Sequence, residues 1–490
     1  MRLSSLVETG TARAAGADPD IVGITADSRR VQPGWLFAAL PGTAADGGSF
    51  VADAVGRGAA AVLGRPGLAV PNGVPLVPSA NPRRDFALMA ARFHAGQPRT
   101  IAAVTGTNGK TSVVTFTRQM WTKLGFKAAS LGTLGLVAPH ATRPGSLTTP
   151  DPVALHEDLA ALAAAGVDHL AMEASSHGLS QHRLDGVHVT AAAFTNLTRD
   201  HLDYHGTMEG YFAAKKRLFI DVMAPGGVAV LNADEPHFNE LLALCRAAGH
   251  RVIGYGHHGA ELRLEQVVRN PHGQHLRLSV FGKPAEIDMP LVAEFQAMNA
   301  LAALGLVLAD GAAAEAATLL LATLEGVPGR LQRAAVRRNG AAVYVDYAHT
   351  PDALETILVA LRPHATRRLV VVFGCGGNRD AGKRPQMGAI AERLADRVIV
   401  TDDNPRNEDA ALIRRQILAA CPSAREIGDR RTAIQVAVEE LAGGDLLVIA
   451  GKGHERGQIV AGTVHPFDDL EVAREAVAAI DASTPNGGAA

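Results

Sequence analysis

The chemistry in this chain gathers first at Thr105-Gly106-Thr107-Asn108-Gly109-Lys110-Thr111-Ser112, which follows the apolar run Ile101 to Val104 and opens a helical pattern reaching about Leu124. A strand, a glycine turn and a helix in that order aim backbone N–H groups and a helix N-terminus at one point, which makes an anion site. Lys110 adds a flexible charge suited to β- and γ-phosphates, and Thr111 a hydroxyl suited to Mg2+. The usual P-loop spacing places a glycine where Val104 stands, so a shortened loop beginning at Gly106 is required. The alternative is an ordinary βα turn. Because Gly-Lys-Thr after a buried strand is uncommon by accident, Gly106, Thr107, Asn108, Gly109, Lys110, Thr111 and Ser112 are read as an ATP phosphate site.

Further polar clusters stand at the ends of other apolar runs. Glu173 follows His169 to Met172; an acid at a strand end facing a phosphate loop can bind Mg2+, or else sit as a helix N-terminal carboxylate. Ser175, Gln181 and Arg183 suit a substrate carboxylate or phosphate, although each alone also reads as a loop residue in water. His201 lies in the dense stretch Thr195 to His205, which lacks the cysteine partners or His-Glu-x-x-His spacing of a zinc site. In Tyr211 to Leu218 the charges Lys215 to Arg217 read as a solvated face, and nothing in the spacing selects Lys215. Near the C-terminus Asp346 ends an apolar run and could accept from ribose hydroxyls. Arg379, the run Asp402-Asp403-Asn404-Pro405-Arg406, and Gly451 with Glu455 then mark three strand ends. Arginine for carboxylate and acid for ammonium suit a zwitterionic ligand. Surface ion pairing is the plainer alternative; three such loops in one domain favour the ligand.

Positioning these groups calls for an α/β protein of three domains. Residues 1–98 read as a small α/β domain without a catalytic cluster, with a strand at Ile21 to Thr25 and a helix from Pro82 to Phe93 that stops before Gly96-Gln97-Pro98. Residues 99–327 alternate strands (Ile101 to Val104, Ala128 to Leu131, His169 to Met172, Ala191 to Phe194, Val228 to Leu231, Val252 to Tyr255) with helical segments such as Val153 to Ala165. That alternation predicts βαβ units and a mostly parallel sheet with ligands at the strand C-terminal ends. After the turn Val327-Pro328-Gly329, residues 328–490 repeat the alternation through Val343 to Asp346, Leu369 to Phe373, Arg397 to Thr401 and Asp445 to Ala450, a second doubly wound domain.

Composition narrows the classes. The 490 residues are 47% hydrophobic and 20% charged, with a formal net charge of −2, so no basic footprint for nucleic acid or anionic membrane is present. Aromatic residues make up only 4%, too few for a base-stacking platform. Cys245, Cys375 and Cys421 are widely spaced and odd in number, which fits a reducing compartment. Glu8 interrupts any apolar leader, and no run of about 18 apolar residues occurs. A cytoplasmic protein acting on small molecules is expected.

Taken together the motifs resemble the Mur ligase family: Asp27-Ser28-Arg29, Thr105 to Thr111, Met172 to Arg183, Thr195 to Gly206, Val345 to Glu355, Phe373 to Gly388, Asp402 to Arg406 and Gly451 to Glu455. The resemblance spans essentially the whole chain. It implies a UDP-substrate-binding N-terminal domain, a central P-loop-type ATPase domain, and a Rossmann-like C-terminal domain that brings the amino acid. It further implies ATP-dependent amide formation in peptidoglycan precursor synthesis, with ADP and phosphate released. ATP phosphorylates a D-glutamate carboxylate, and an amine displaces the phosphate.

Carried over by motif position, Lys110, Glu173, His201 and Lys215 would be catalytic, and Thr111, Glu173, His201 and a CO2-derived carbamate on Lys215 would hold Mg2+. Asn299, Arg330 and Asp346 would join the phosphate loop in binding ATP. Ala26, Ser28, Thr43, Ala44, Ala45, Thr148, Thr149, Ser175, Gln181 and Arg183 would hold the UDP-muramoyl-dipeptide. The loop at Thr43 to Ala45 offers mainly backbone groups, and Leu147 stands where relatives carry Asn. Arg379, Asp403, Asn404, Pro405, Arg406, Gly451 and Glu455 would hold meso-2,6-diaminopimelate, the arginine at 406 being the mark of diaminopimelate-adding members. A lysine-adding member or a folylpolyglutamate-synthase-like ligase is the alternative. A monomer is expected.

Overall fold

The computed structural model describes residues 1–7, 18–42, 46–145 and 147–483. The chain folds as two compact units, one of Met1–Arg263 with Leu301–Ala317 and the other of Leu264–Ala300 with Thr318–Ala490. The dipeptide residues expected at Thr43, Ala44 and Ala45 lie outside the described residues.

The first unit opens with four parallel strands in the order β1 (Gly23–Thr25), β2 (Trp35–Ala38), β3 (Ala61–Gly64) and β4 (Leu76–Pro78). Alternate residues of a strand face opposite sides, and β2 shows it. Leu36 and Ala38 join a core with Leu3, Leu6, Phe86 and Met89, whereas Phe37 joins Val31, Val51, Ala54 and Val62 on the other face. Phe86 and Met89 come from the Pro82–Phe93 helix, which Asn81 caps through the Arg84 amide and Pro82 begins.

Strands β5 (Thr100–Thr105), β6 (Ala128–Gly132), β7 (Gly135–Ala138), β8 (Ala141–Arg143), β9 (His169–Glu173), β10 (Val189–Phe194), β11 (Met223–Asn232) and β12 (Arg251–Gly256) follow. They are ordered β12-β11-β10-β5-β9-β6-β7-β8, parallel from β12 to β6 and antiparallel beyond. The chain leaves β5 toward β6 and β9 on one side and later fills the other side with β10. That reversal beside β5 is a topological switch point, where the strand C-terminal ends open a crevice. The phosphate loop, Glu173 and the loop at Thr195 all start there.

Strand β13 (Leu262–Asn270) carries the chain from the first unit into the second, where β14 (Gly273–Val280) and β15 (Lys283–Met289) pair antiparallel. Sequence alternation did not predict these strands, nor the β7–β8 hairpin. Their pattern is half-buried, one face dry and one wet, unlike the continuous apolar runs of buried parallel strands.

Six strands build the second unit's main sheet: β16 (Gln332–Val336), β17 (Ala342–Asp346), β18 (Leu369–Phe373), β19 (Arg397–Val400), β20 (Arg425–Glu426) and β21 (Leu446–Ala450). Their order is β16-β17-β21-β18-β19-β20, and only the β16–β17 pair is antiparallel. Leu369, Val371 and Phe373 pack with Leu354, Leu358, Met387 and Ile413 on one face; Val370 and Val372 pack with Ile434, Val438 and Val472 on the other. Both faces are helix-covered, as the doubly wound reading requires. A hairpin of β22 (Gly457–Val460) and β23 (Thr463–Pro466) follows.

Candidate active site

In the first unit the phosphate loop is the short connection Gly106–Gly109 between β5 and the Lys110–Lys123 helix, and Val104 lies inside the strand, fully buried. Gly106 has φ +145°, and a Cβ there would come within 1.9 Å of the Thr195 hydroxyl. Only glycine fits such a close approach. Gly109, at φ +88°, turns the chain into the helix. Asn196 holds the loop from outside, accepting from the Thr107 amide at its carbonyl (2.9 Å) and from the Asn108 amide at its Oδ1 (2.9 Å). The Thr195 hydroxyl donates to the Asn108 carbonyl at 2.6 Å. Lys110 folds back on the loop, its Nζ donating to the carbonyls of Gly106 (2.9 Å) and Thr107 (2.8 Å).

Glu173 ends β9, buried, and its carboxylate turns toward this helix. Its Oε1 accepts from the Thr111 hydroxyl at 3.0 Å and the Thr133 amide at 2.8 Å, and its Oε2 from the Thr133 hydroxyl at 3.2 Å. The helix-capping alternative for Glu173 does not hold, because Ser175 caps the next helix through the Gly178 amide. Gly132 leaves room for the acid, since a Cβ there would meet Oε1 at 2.2 Å. Two oxygen donors beside a phosphate loop match the ligand chemistry of Mg2+.

Lys215 is the clearest departure from the sequence reading. Far from a solvated face, it is 1% exposed. Its amine donates to the Gly106 carbonyl at 2.8 Å and lies 4.2 Å from the centre of the Tyr211 ring. Burial, with the nearby Lys110 charge, holds its pKa well below the ordinary lysine value. Tyr211, one turn earlier, donates from its hydroxyl to the Thr107 hydroxyl at 3.3 Å. His201 stands further out, its side chain 47% exposed at a backbone φ of +52°, and its ring packs edge-on against His177 at 4.8 Å. Among the described residues no three His, Cys, Asp or Glu side chains form a metal cluster. Among the described residues the side-chain oxygens gathered beside the phosphate loop are those of Thr111, Glu173 and Thr133, and the Lys215 amine lies against the Gly106 carbonyl of that loop.

The dipeptide residues divide. Thr148, Thr149, Ser175, Gln181 and Arg183 are drawn together. The Thr149 hydroxyl donates to the Glu173 carbonyl (2.9 Å) and accepts from the Ser175 amide (3.0 Å), and the Thr148 and Thr133 hydroxyls lie 3.1 Å apart. Arg183 donates to the Thr149 carbonyl at 2.7 Å and through two nitrogens to the Gln181 amide oxygen, whose nitrogen in turn donates to the Tyr204 hydroxyl at 3.1 Å. Ala26 and Ser28 sit apart after β1, the first exposed and the second buried at the start of a short turn. There Asp27 accepts from the Arg29 amide and guanidinium, which holds its carboxyl below the usual range.

In the second unit Asn299 donates to Gln296 at 3.0 Å, and Gln296 donates to the Arg330 carbonyl at 3.3 Å. Asp346, buried at the end of β17, accepts from the amides of Leu331 and Ala348, each at 2.7 Å. Burial pushes its pKa up to about 6 against the pull of those bonds. Beside it opens a cavity of about 570 Å³ lined by Arg379, Asp403, Asn404, Arg406, Gly451 and Glu455, with Tyr347, His349 and Lys383. Arg406, at φ +54°, donates to the Gly377 carbonyl at 2.8 Å, and Asn404 donates to Glu455 at 2.9 Å. Pro405 does not line the cavity; its carbonyl lies against Gly377. Sequence reasoning missed Gly132, Thr133, Asn196 and Tyr211. Asn196 and Tyr211 lie in stretches it singled out, but Gly132 and Thr133 carry no local signal.

Family models match three successive stretches: the Mur ligase family catalytic domain over residues 20–92, the Mur ligase middle domain over 104–307, and the Mur ligase glutamate ligase domain over 329–453. A UDP-N-acetylmuramoyl-L-alanyl-D-glutamate–2,6-diaminopimelate ligase of Caulobacter vibrioides is 53% identical over 487 residues, 98% of this chain and 99% of that protein. A ligase of the same name from Agrobacterium fabrum is 52% identical over 464 residues, 95% and 94% of the two chains. The solved structure of a UDP-N-acetylmuramoyl-L-alanyl-D-glutamate–2,6-diaminopimelate ligase superposes with a TM-score of 0.74 at 35% identity, covering 94% of this chain and 95% of that one.

Proposed function

The chain belongs to the Mur ligase family, and from that premise we propose that it joins 2,6-diaminopimelate to the D-glutamate of UDP-N-acetylmuramoyl-L-alanyl-D-glutamate, with ATP cleaved to ADP and phosphate. A carboxylate is a poor acyl donor, and phosphorylation gives it a leaving group that an amine can displace. The observation that carries the amino-acid assignment is the cavity that sets Arg379 and Arg406 against Asp403 and Glu455. Diaminopimelate has two ammonium and two carboxylate groups to match it. Lysine lacks the second carboxylate and leaves an arginine without its anion.

The chain's own groups divide the work. The first turn of the Lys110–Lys123 helix and the Lys110 ammonium receive the β- and γ-phosphates. Asn299, Arg330 and Asp346 are the further residues we assign to ATP. Arg183, Thr148, Thr149, Ser175 and Gln181 hold the dipeptide end, and Ala26, Ser28 and the loop 43–45 the uridine end. Thr111 and Glu173, with His201 and Lys215 as its carbamate, would hold Mg2+, which would supply charge neutralisation at the phosphoryl oxygens. Lys215, buried with a lowered pKa, is the amine that would add CO2 from its deprotonated form, losing a proton and becoming a carbamate anion. The functional division therefore runs 1–98 for the UDP substrate, 99–327 for ATP and 328–490 for the amino acid. No helix among the described residues is long and apolar enough to cross a membrane, and we place the protein in the cytoplasm as a monomer.

The test is phosphate release by purified protein given UDP-muramoyl-dipeptide, ATP, Mg2+ and one amino acid at a time. Diaminopimelate should drive turnover and lysine should not. Turnover as fast with lysine, or none with diaminopimelate, overturns the assignment.

A further inference from the structure

Behind the acceptor cavity lies a charge that does not itself line it but bonds to two residues that do. Lys452, in the turn after β21, is 0% exposed, yet it carries a long cationic side chain into the interior. A buried ammonium persists only where it is paired and hydrogen-bonded. Its Nζ donates to Asn404 Oδ1 at 3.0 Å and to Glu455 Oε2 at 3.3 Å, and Asn404 Nδ2 donates to the same Oε2 at 2.9 Å. The three side chains form a closed triangle. The Ile459 amide also donates to Asn404 Oδ1, at 3.0 Å. Neither Lys452 nor a backbone N–H can accept, so both fix Oδ1 toward themselves and turn the amide's NH2 to Glu455. Two donors then converge on Oε2, and Oε1 is left for a ligand in the cavity that Glu455 lines.

We propose that Lys452 is a positioning and selectivity residue of the diaminopimelate pocket: it anchors Glu455 and Asn404 from behind and sets the pocket's charge balance against amino acids with net positive charge. The proposal rests on the reading of that cavity as the diaminopimelate site. Without the buried cation, Glu455 loses its ion pair with Lys452 and the pocket becomes more negative by one charge. Diaminopimelate, with no net charge, then loses its oriented acceptor, whereas lysine, net positive, is less penalised.

Steady-state kinetics on the full chain test this, beginning with the wild type; failure of diaminopimelate to drive its turnover would sink the functional reading itself. Given a working wild type, Lys452→Met should raise KM for diaminopimelate about tenfold or more and leave KM for ATP within about twofold. Its preference for diaminopimelate over lysine should fall. Lys452→Arg, which restores a cation, should recover most of the loss. Combining Lys452→Met with Glu455→Gln should cost no more than the worse single change, because both act on one carboxylate. An unchanged KM for diaminopimelate, an Arg variant no better than Met, or two effects that simply multiply overturns the proposal. If Lys452→Met is insoluble, Lys452→Gln takes its place under the same criteria.

Discussion

Glu173 and Arg406 each touch groups that a conservative change would leave standing, so their charges can be tested apart from their packing. Glu173 takes three donors from Thr111 and Thr133. A glutamine there keeps an oxygen for the closest two and removes only the negative charge. Glu173→Gln should therefore unfold within a few degrees of the wild type while losing about 10²-fold or more in kcat, the scale of a lost preorganised electrostatic contact. A variant with near-native turnover would remove Glu173 from the metal site. Arg406 is anchored at Gly377 and presents a planar fork that a point charge does not reproduce. Arg406→Ala should raise KM for diaminopimelate about a hundredfold with little change in KM for ATP, and Arg406→Lys should recover only part. Equal kinetics in Arg406→Ala and the wild type would refute the clamp.

The elements that position these residues were legible to different degrees, for physical reasons. Strand β5 and its helix declare themselves because the apolar run, the glycines and the Gly-Lys-Thr turn all point the same way. Strands β13 to β15 did not, since half-wet antiparallel strands lack the continuous apolar signal of the parallel core. Lys215 was misread because its partner, the Gly106 carbonyl, is 109 residues away, and no local pattern encodes so distant an acceptor. His169, opening β9, is a similar case. It is buried between Asp168 and Asp310, with hydrogen bonds of 2.7 Å to each, and the Trp121 and Phe126 rings pack on it. Burial opposes its charge, but the two carboxylates outweigh burial and raise its pKa. A group with a raised folded pKa contributes stability that is complete below its unfolded value, about 6.5, and is lost as pH climbs through the folded one. The wild type should thus exceed His169→Gln in unfolding temperature by more at pH 6 than at pH 9. A gap that is constant or widens with pH would show that the imidazolium does not tie β9 to the Leu301–Ala317 segment.

At the scale of the whole molecule, the phosphate loop with Glu173 and Arg183 lies in the first unit and the Arg379–Arg406 cavity in the second. Substitutions that share no partner should act independently on binding. Gly106→Ala drives a methyl into Thr195, the residue whose hydroxyl holds the loop at Asn108, so it should weaken ATP binding about tenfold by spoiling the cradle's geometry. It should leave the affinity for diaminopimelate unchanged. Arg406→Ala should do the converse, and in the double variant each affinity should equal that of the matching single variant. Isothermal titration of the two singles and the double, one ligand at a time, reads all of this directly. ATP adds an internal control, because Asn299, Arg330 and Asp346 are also proposed to bind it. Asp346→Asn should therefore weaken ATP and spare diaminopimelate even though Asp346 and Arg406 share a unit. Should Arg406→Ala weaken ATP as strongly as Gly106→Ala does, the ligand sets are not separate and the division of labour between the units is wrong.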